Sequence, residues 1–127
     1  MVTLAPDLLV HLCGTQQWAQ ARRRGGIHPD AAGGGDFIHL STPEQVHLPA
    51  NRLYRGRRDL VLLHIDPARL AAPVRWEPGV PTDPESMLFP HLYGVLPVAA
   101  VVGVTAYPPA DDGSFPPIAG DGAGEST

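Results

Sequence analysis

Leu60-Val61-Leu62-Leu63-His64-Ile65 is the stretch on which the fold turns. It is bounded by Asp59 on one side and Asp66-Pro67 on the other, too short for a buried helix and rich in branched apolar residues, which suits a strand. Side chains alternate across a strand. Apolar residues on both faces therefore require both faces to be covered, and this strand is predicted to be central.

Working outward toward the N-terminus, Leu8-Leu9-Val10-His11-Leu12-Cys13 is a second short apolar run, closed by Gly14, and reads as another buried strand. Thr15 offers an N-cap to a helix over 16–24, which Gly25-Gly26 ends. Residues 25–36 are turn-rich. Gly33-Gly34-Gly35-Asp36 is no phosphate-cradling loop, because no Lys-Ser/Thr follows and no helix opens on its last glycine. Asp36 to Ser41 is predicted as a strand. Ser41-Thr42-Pro43-Glu44 then reads as a capping box opening a helix that runs to about Tyr54, although Pro49 sits awkwardly in its middle.

On the C-terminal side, Asp66 to Leu70 turns off the central strand. Val74 to Glu77, Leu88 to Tyr93 and Val98 to Tyr107 are predicted as three more strands. Helices early and strands late argue an α+β fold: a small, split or curved, mostly antiparallel β-sheet with two N-terminal helices. Residues 1–106 form the expected domain. Residues 107–127 are acidic and rich in Pro and Gly, and are predicted to be disordered.

Composition narrows the function classes. A chain of 127 residues suits one domain. No run approaches the ~18 apolar residues of a membrane span, so no membrane partner is expected. Met1 to Pro6 has no basic residue and Asp7 interrupts its apolar start, so no secretory leader is read and a cytoplasmic location is expected. Cys13 is the sole cysteine, which removes disulfides and paired-cysteine metal motifs. All nine basic residues are arginines, and residues 1–106 balance them with nine acids, leaving the net charge of −4 to the tail. A neutral body lacks the basic field of a nucleic-acid binder. The clusters Arg22-Arg23-Arg24 and Arg52, Arg55, Arg57, Arg58 read first as solvated faces.

The chemistry rests on histidines. Alternation places Leu9, His11 and Cys13 on one face, Phe37, His39 and Ser41 on another, and Phe89, His91 and Tyr93 on a third. Three strands each carrying a histidine among apolar neighbours suggest a common cleft. His64, in the central strand, reads instead as a hydrogen-bonding group at the sheet end. No HExxH and no close histidine pair is present, so no metal is expected. Ser41 and Cys13 have bland readings as helix cap and small buried hydrophobe. Glu77, beside Trp76, is either a carboxylate raised in pKa and able to act as a base or a solvated turn acid.

Four blocks carry a resemblance: Asp36-Phe37-Ile38-His39-Leu40-Ser41-Thr42 with Gln45; Asp59-Leu60-Val61-Leu62-Leu63 with Ile65-Asp66-Pro67 and Arg69-Leu70; Arg75-Trp76-Glu77; and Phe89-Pro90-His91-Leu92-Tyr93-Gly94 with Leu96-Pro97. They resemble the DUF952 family, small and mainly bacterial single-domain proteins without an assigned activity, over about residues 7–106. That family is grouped by remote similarity with the ADP-ribosyltransferase-like fold, whose members bind NAD between two small sheets.

The resemblance implies NAD as the cofactor. It gives His11 the place of a first-strand histidine that contacts the adenosine ribose, and gives His39-Leu40-Ser41-Thr42 the strand end that packs on the nicotinamide. The third motif is often a catalytic Glu, and here that role falls to His91 or to Glu77. Leu12 stands where a glycine normally follows the first histidine. Without a placed carboxylate protein ADP-ribosylation is in doubt, and phosphate chemistry by His and Arg stays open.

The expectation is thus a small nucleotide-like ligand, bound by His11, Ser41 and Thr42, with Trp76 or Tyr93 stacking on a base and His39, His91 and Glu77 as the catalytic groups. The rivals are a non-catalytic nucleotide- or partner-binding module of the same fold, and a structural protein with satisfied core histidines. Oligomeric state leaves no trace in the sequence.

Overall fold

The computed structural model describes residues 8–29, 35–79 and 87–118. In chain order these form β1 (Leu9–Gly14), α1 (Thr15–Arg24), β2 (Gly26–Ile27), β3 (Ile38–His39), α2 (His47–Leu53), β4 (Leu60–Ile65), a 3-10 turn (Pro67–Arg69), β5 (Val74–Pro78), β6 (Leu88–Leu92), β7 (Leu96–Pro97), a second 3-10 turn (Val98–Ala100) and β8 (Val101–Ala106). Every described pairing is antiparallel. The fold is α+β with two helices, and its sheet is split: β1-β4-β8, β3-β6-β5, and a small β2-β7 ladder.

The central strand is β4. It pairs with β1 from Leu9 opposite Ile65 to Gly14 opposite Leu60, and on its other side with β8, whose register slips between His64 and Ile65. Alternation then assigns its side chains to two cores. Val61, Leu63 and Ile65 join Leu9, Cys13, Ile38, Leu40 and Leu92. Leu60 and Leu62 face the other way, with Val10, Val46, Ala50, Tyr107 and Phe115. The first core is shared by the two larger sheets. The second is closed by α2 and the C-terminal segment.

Several boundaries differ from expectation, each for a local reason. The first helix begins at Thr15 itself, with Gly14 as its N-cap and no side-chain cap bond. It ends as predicted, on Gly25 in the left-handed region (φ 90°), whose N–H donates to the Ala21 carbonyl. Ser41 does not cap the second helix. Its N–H and C=O instead exchange hydrogen bonds with Val10 at 2.9 and 2.8 Å, which holds it extended and joins the two larger sheets. The helix has Val46 as its N-cap and no side-chain cap bond, and Gln45 Oε1 accepts from the Thr42 N–H within the turn that precedes it. The helix therefore starts at His47, which makes Pro49 its third residue, in the first turn where a backbone N–H has no helical partner to lose.

At the other end, Val98–Ala100 are a 3-10 turn and not strand. The segment 107–118, expected to be disordered, packs on the domain. Phe115 and Tyr107 are buried together at 5.1 Å between ring centres, and Asn51 brackets Phe115 by accepting from its N–H (2.7 Å) and donating to its carbonyl (2.9 Å). Composition argued for disorder, but two aromatic rings and one asparagine suffice to anchor the segment. The rest of that expectation, 119–127, lies outside the described residues. Among the described residues no helix is long and apolar enough to cross a membrane.

Candidate functional site

Ile38, Leu40 and Leu92 point into the first core, so alternation turns Phe37, His39, His91 and Tyr93 to the opposite face of the β3-β6-β5 sheet. There they form an aromatic cluster. His39 and His91 are cross-strand partners with ring centres 4.9 Å apart, edge to face; Phe37 stacks on His91 at 4.2 Å and meets His39 at 4.8 Å and Tyr93 at 5.1 Å. From β5, Glu77 reaches the same face. Its Oε1 accepts from Tyr93 O–H at 2.6 Å and from His91 Nδ1–H at 2.8 Å. Arg75 lies 5.0 Å over the Tyr93 ring. His91 is 3% exposed, and its Nε2 has no hydrogen-bond partner among the described residues.

The Glu77 carboxyl is held below its ordinary value by the hydrogen bond from Tyr93, then by that from His91. The same bond raises Tyr93. Of the two readings the sequence leaves for Glu77, a raised base is overturned: donors aimed at a carboxylate favour its charged form and outweigh its partial burial. Glu77 is an ionised anchor for His91.

His11 belongs to the other sheet. It is 7% exposed, and its Nδ1 lies 2.8 Å from the His39 carbonyl oxygen. A carbonyl only accepts, so the proton sits on Nδ1. Burial pushes His11 below its ordinary value, against the opposing pull of that bond. The ring is neutral at neutral pH, and Nε2 is a bare lone pair, buried and without a partner among the described residues. His39 is also lowered, by burial first and then by His91 and Arg52.

A cleft of about 240 Å3 opens beside His39. Its walls are mostly apolar (Leu40, Pro49, Leu53 and Phe89), with Ser41 and Arg52 as further polar lining residues. Gly79 lets the Phe89 ring lie against the main chain: a Cβ there would fall 2.6 Å from it. A second pocket of about 80 Å3 adjoins it, sharing His39, Ser41, Pro49 and Leu53 and lined also by His11, Gln17 and Tyr54.

The structure therefore gathers His11, His39 and Ser41 around one cavity, with His91, Glu77 and Tyr93 as a bonded group behind His39. Thr42 and Trp76 do not join them. Trp76 shares its β5 face with Val74, is 49% exposed, and with Thr42 borders a separate groove beside Leu8, Leu9 and Pro67. His64 does what a sheet-end histidine was expected to do, bonding Thr105 Oγ1 at 2.9 Å through Nε2. Sequence reasoning missed Arg52 and Gln17 as cleft residues. Their one available signal was helical spacing onto faces that oppose the strand histidines. Among the described residues no three His, Cys, Asp or Glu side chains gather to hold a metal ion.

The shifts fix an acid response. The unfolded chain takes up a proton on His11 near pH 6.5 while the folded chain resists it. The stability gained from a neutral His11 is full above that pH and is lost as pH falls below it. His39 and His64 act with the same sign. Glu77 contributes above about pH 4.5, and its contribution is lost as pH falls through its depressed folded value. Urea midpoints should fall progressively below pH 6.5, and His11→Gln should flatten the upper part of that decline. A midpoint constant from pH ~7.5 to ~5 would exclude a buried neutral His11.

Comparison with known proteins agrees with this architecture. The sequence profile of a family described as "Protein of unknown function (DUF952)" matches residues 12–104. Among solved structures, the crystal structure of protein CC0527 from Caulobacter crescentus is similar, with 28% identity and a TM-score of 0.71 over 87% of this chain and 94% of that one. The solution NMR structure of CC0527 gives 28% identity and a TM-score of 0.70 over 85% and 90%. No curated protein matches the chain.

Proposed function

Given that the chain belongs to the DUF952 family, whose description names no activity, we propose that it binds a small nucleotide-like ligand, NAD being the first to test, in the cleft beside His39. One observation carries the reading. A mostly apolar cleft is lined by Arg52 and adjoins a smaller pocket, lined by His11, with which it shares His39 and Ser41. An apolar slot suits a planar base or ring, and Arg52 suits a phosphate. The split between two small sheets is in keeping with the ADP-ribosyltransferase-like resemblance. Within this reading His11 and Ser41 hold the ligand, while His39 is the acid–base group. His91, anchored by Glu77, packs against the His39 ring and fixes its orientation.

A specific observation favours a second reading, a binding module that leaves its ligand intact. No carboxylate lines the cleft among the described residues, and Glu77 is already bonded to His91 and Tyr93. Among the described residues an oxocarbenium-like transition state would find no anion there.

Calorimetric titration of NAD separates the possibilities. The wild type is expected to bind and a His11→Ala, His39→Ala double variant to lose at least ~10-fold in affinity, as unpaired polar contacts imply. Nicotinamide in the mixture would mark an enzyme, and intact NAD the binding module. No heat at millimolar NAD would overturn the nucleotide reading.

A further inference from the structure

An edge strand presents a row of unpaired main-chain donors and acceptors, and proteins that stay monomeric guard such edges with charge, proline or very short length. Most edges of this fold are guarded in that way. β5 carries Arg75, Glu77 and Pro78, and β2, β3 and β7 are two residues long. β1 meets Ser41 on its outer side. β8 is the exception: Val101-Val102-Gly103-Val104-Thr105-Ala106 holds no charge and no proline. Val102 and Val104 are 48% and 41% exposed, and Thr105 and Ala106 are exposed beside them. β8 pairs with β4 on one side only. The Tyr107 N–H donates to the Leu60 carbonyl at 3.1 Å, and bonding direction alternates along an antiparallel strand. Gly103 and Thr105 therefore bond toward β4, while the N–H and C=O groups of Val104 and Ala106 point away from the sheet. Among the described residues none of those outward groups has a main-chain partner. The regular stretch is bounded at one end by the register slip opposite His64 and Ile65, and at the other by Pro108, which has no N–H to extend a ladder.

We propose that β8 pairs with β8 of a second copy of this chain, antiparallel about a two-fold axis at Thr105, joining the two three-stranded sheets edge to edge. The spacing of the free groups selects this occupant and this register. With Thr105 opposite its own copy, Val104 of each chain lies opposite Ala106 of the other, and every outward N–H finds an outward C=O. The neutrality of the strand fits the same arrangement, because a two-fold axis sets like against like and a charge near it would repel its own copy. A ladder this short falls below the ~1,200 Å2 of a standard interface, so the dimer is a weak one that forms with rising concentration.

Sedimentation velocity of the full-length chain from ~10 μM to ~1 mM, the range of weak contacts, tests the proposal. The wild type is expected to pass from monomer to dimer across it. Thr105→Lys and Thr105→Glu each set two like charges at the axis and should weaken association at least ~10-fold. An equimolar mixture of the two should dimerise again, because the axis then brings opposite charges together. Both substitutions remove the Thr105 bond to His64, so recovery in the mixture separates pairing across the axis from that local loss. Amide hydrogen exchange of the wild type gives a second readout that needs no variant: Val104 and Ala106 should gain protection as concentration rises, while Gly103 and Thr105, already bonded to β4, should not. A wild type that stays monomeric throughout, charged variants that associate as the wild type does, a mixture of folded variants that stays monomeric, or exchange at Val104 and Ala106 that ignores concentration would each overturn the inference.

Discussion

A Phe115→Ala variant is expected to lose about 3–5 kcal/mol of folding free energy, the usual cost of emptying a buried phenylalanine site. Phe115 is 2% exposed and lies in the core formed by Val10, Leu60, Leu62, Val46 and Ala50. Its main chain is clasped by Asn51 and its ring meets Tyr107, whose hydroxyl donates to the Pro116 carbonyl. Collapse around the cavity is restrained because Asn51 holds the backbone on both sides of the missing ring. For a domain with a net stability of ~5–15 kcal/mol the loss is a large share. Urea unfolding followed by far-ultraviolet circular dichroism measures it. A loss below ~1 kcal/mol would show that the segment after Ala106 does not close the second core in solution.

Leu63→Ala should cost about 2–5 kcal/mol for a different reason. Leu63 has no exposed surface and lies between β1 and β8, directly opposite His11 on one side and Val104 on the other. Truncation leaves a void in the middle strand of a three-stranded sheet, where neighbours cannot close in without breaking register. The same void lies beside the His11 pair position, so ligand affinity should weaken together with stability. Leu60→Ala makes the useful contrast, since it faces the second core at the far end of the strand. A Leu63→Ala protein with an unchanged urea midpoint would contradict the central place of β4.

These two positions also mark how far the sequence could be read. Leu63 was legible because a six-residue strand with both faces apolar has one sensible place in a small sheet. The aligned faces of His11, of His39 and of His91 with Tyr93 were legible for the same reason, since period-two alternation needs only the strand to be right. Phe115 was hidden: one ring among prolines, glycines and acids looks like a solvated tail until Asn51, in a helix far away in sequence, supplies the clasp. Ser41 was misread because local cap chemistry and a bridge to Val10 compete for the same backbone, and the nonlocal bridge wins. Helical spacing could set which face of α2 carries Arg52, but that this face meets the cleft is a tertiary fact that spacing alone does not encode. Trp76 was offered beside Tyr93 as a base-stacking residue, yet it lies one residue from Glu77 along β5 and so on the opposite face.

The bridge between Val10 and Ser41 has a consequence for how the molecule breathes. Within each of the two larger sheets neighbouring strands pair over several residues, whereas among the described residues the main-chain join between the sheets is this single reciprocal pair. Cooperative opening units tend to follow ladders and to part at their thinnest junction. The amides of Val10 and Ser41 are therefore expected to exchange with solvent when the sheets part along this seam, a motion that must also open the core they share. A molecule seated against Ser41 and His11 would span that parting line, so occupancy of the cleft and closure of the seam are one equilibrium seen from two sides.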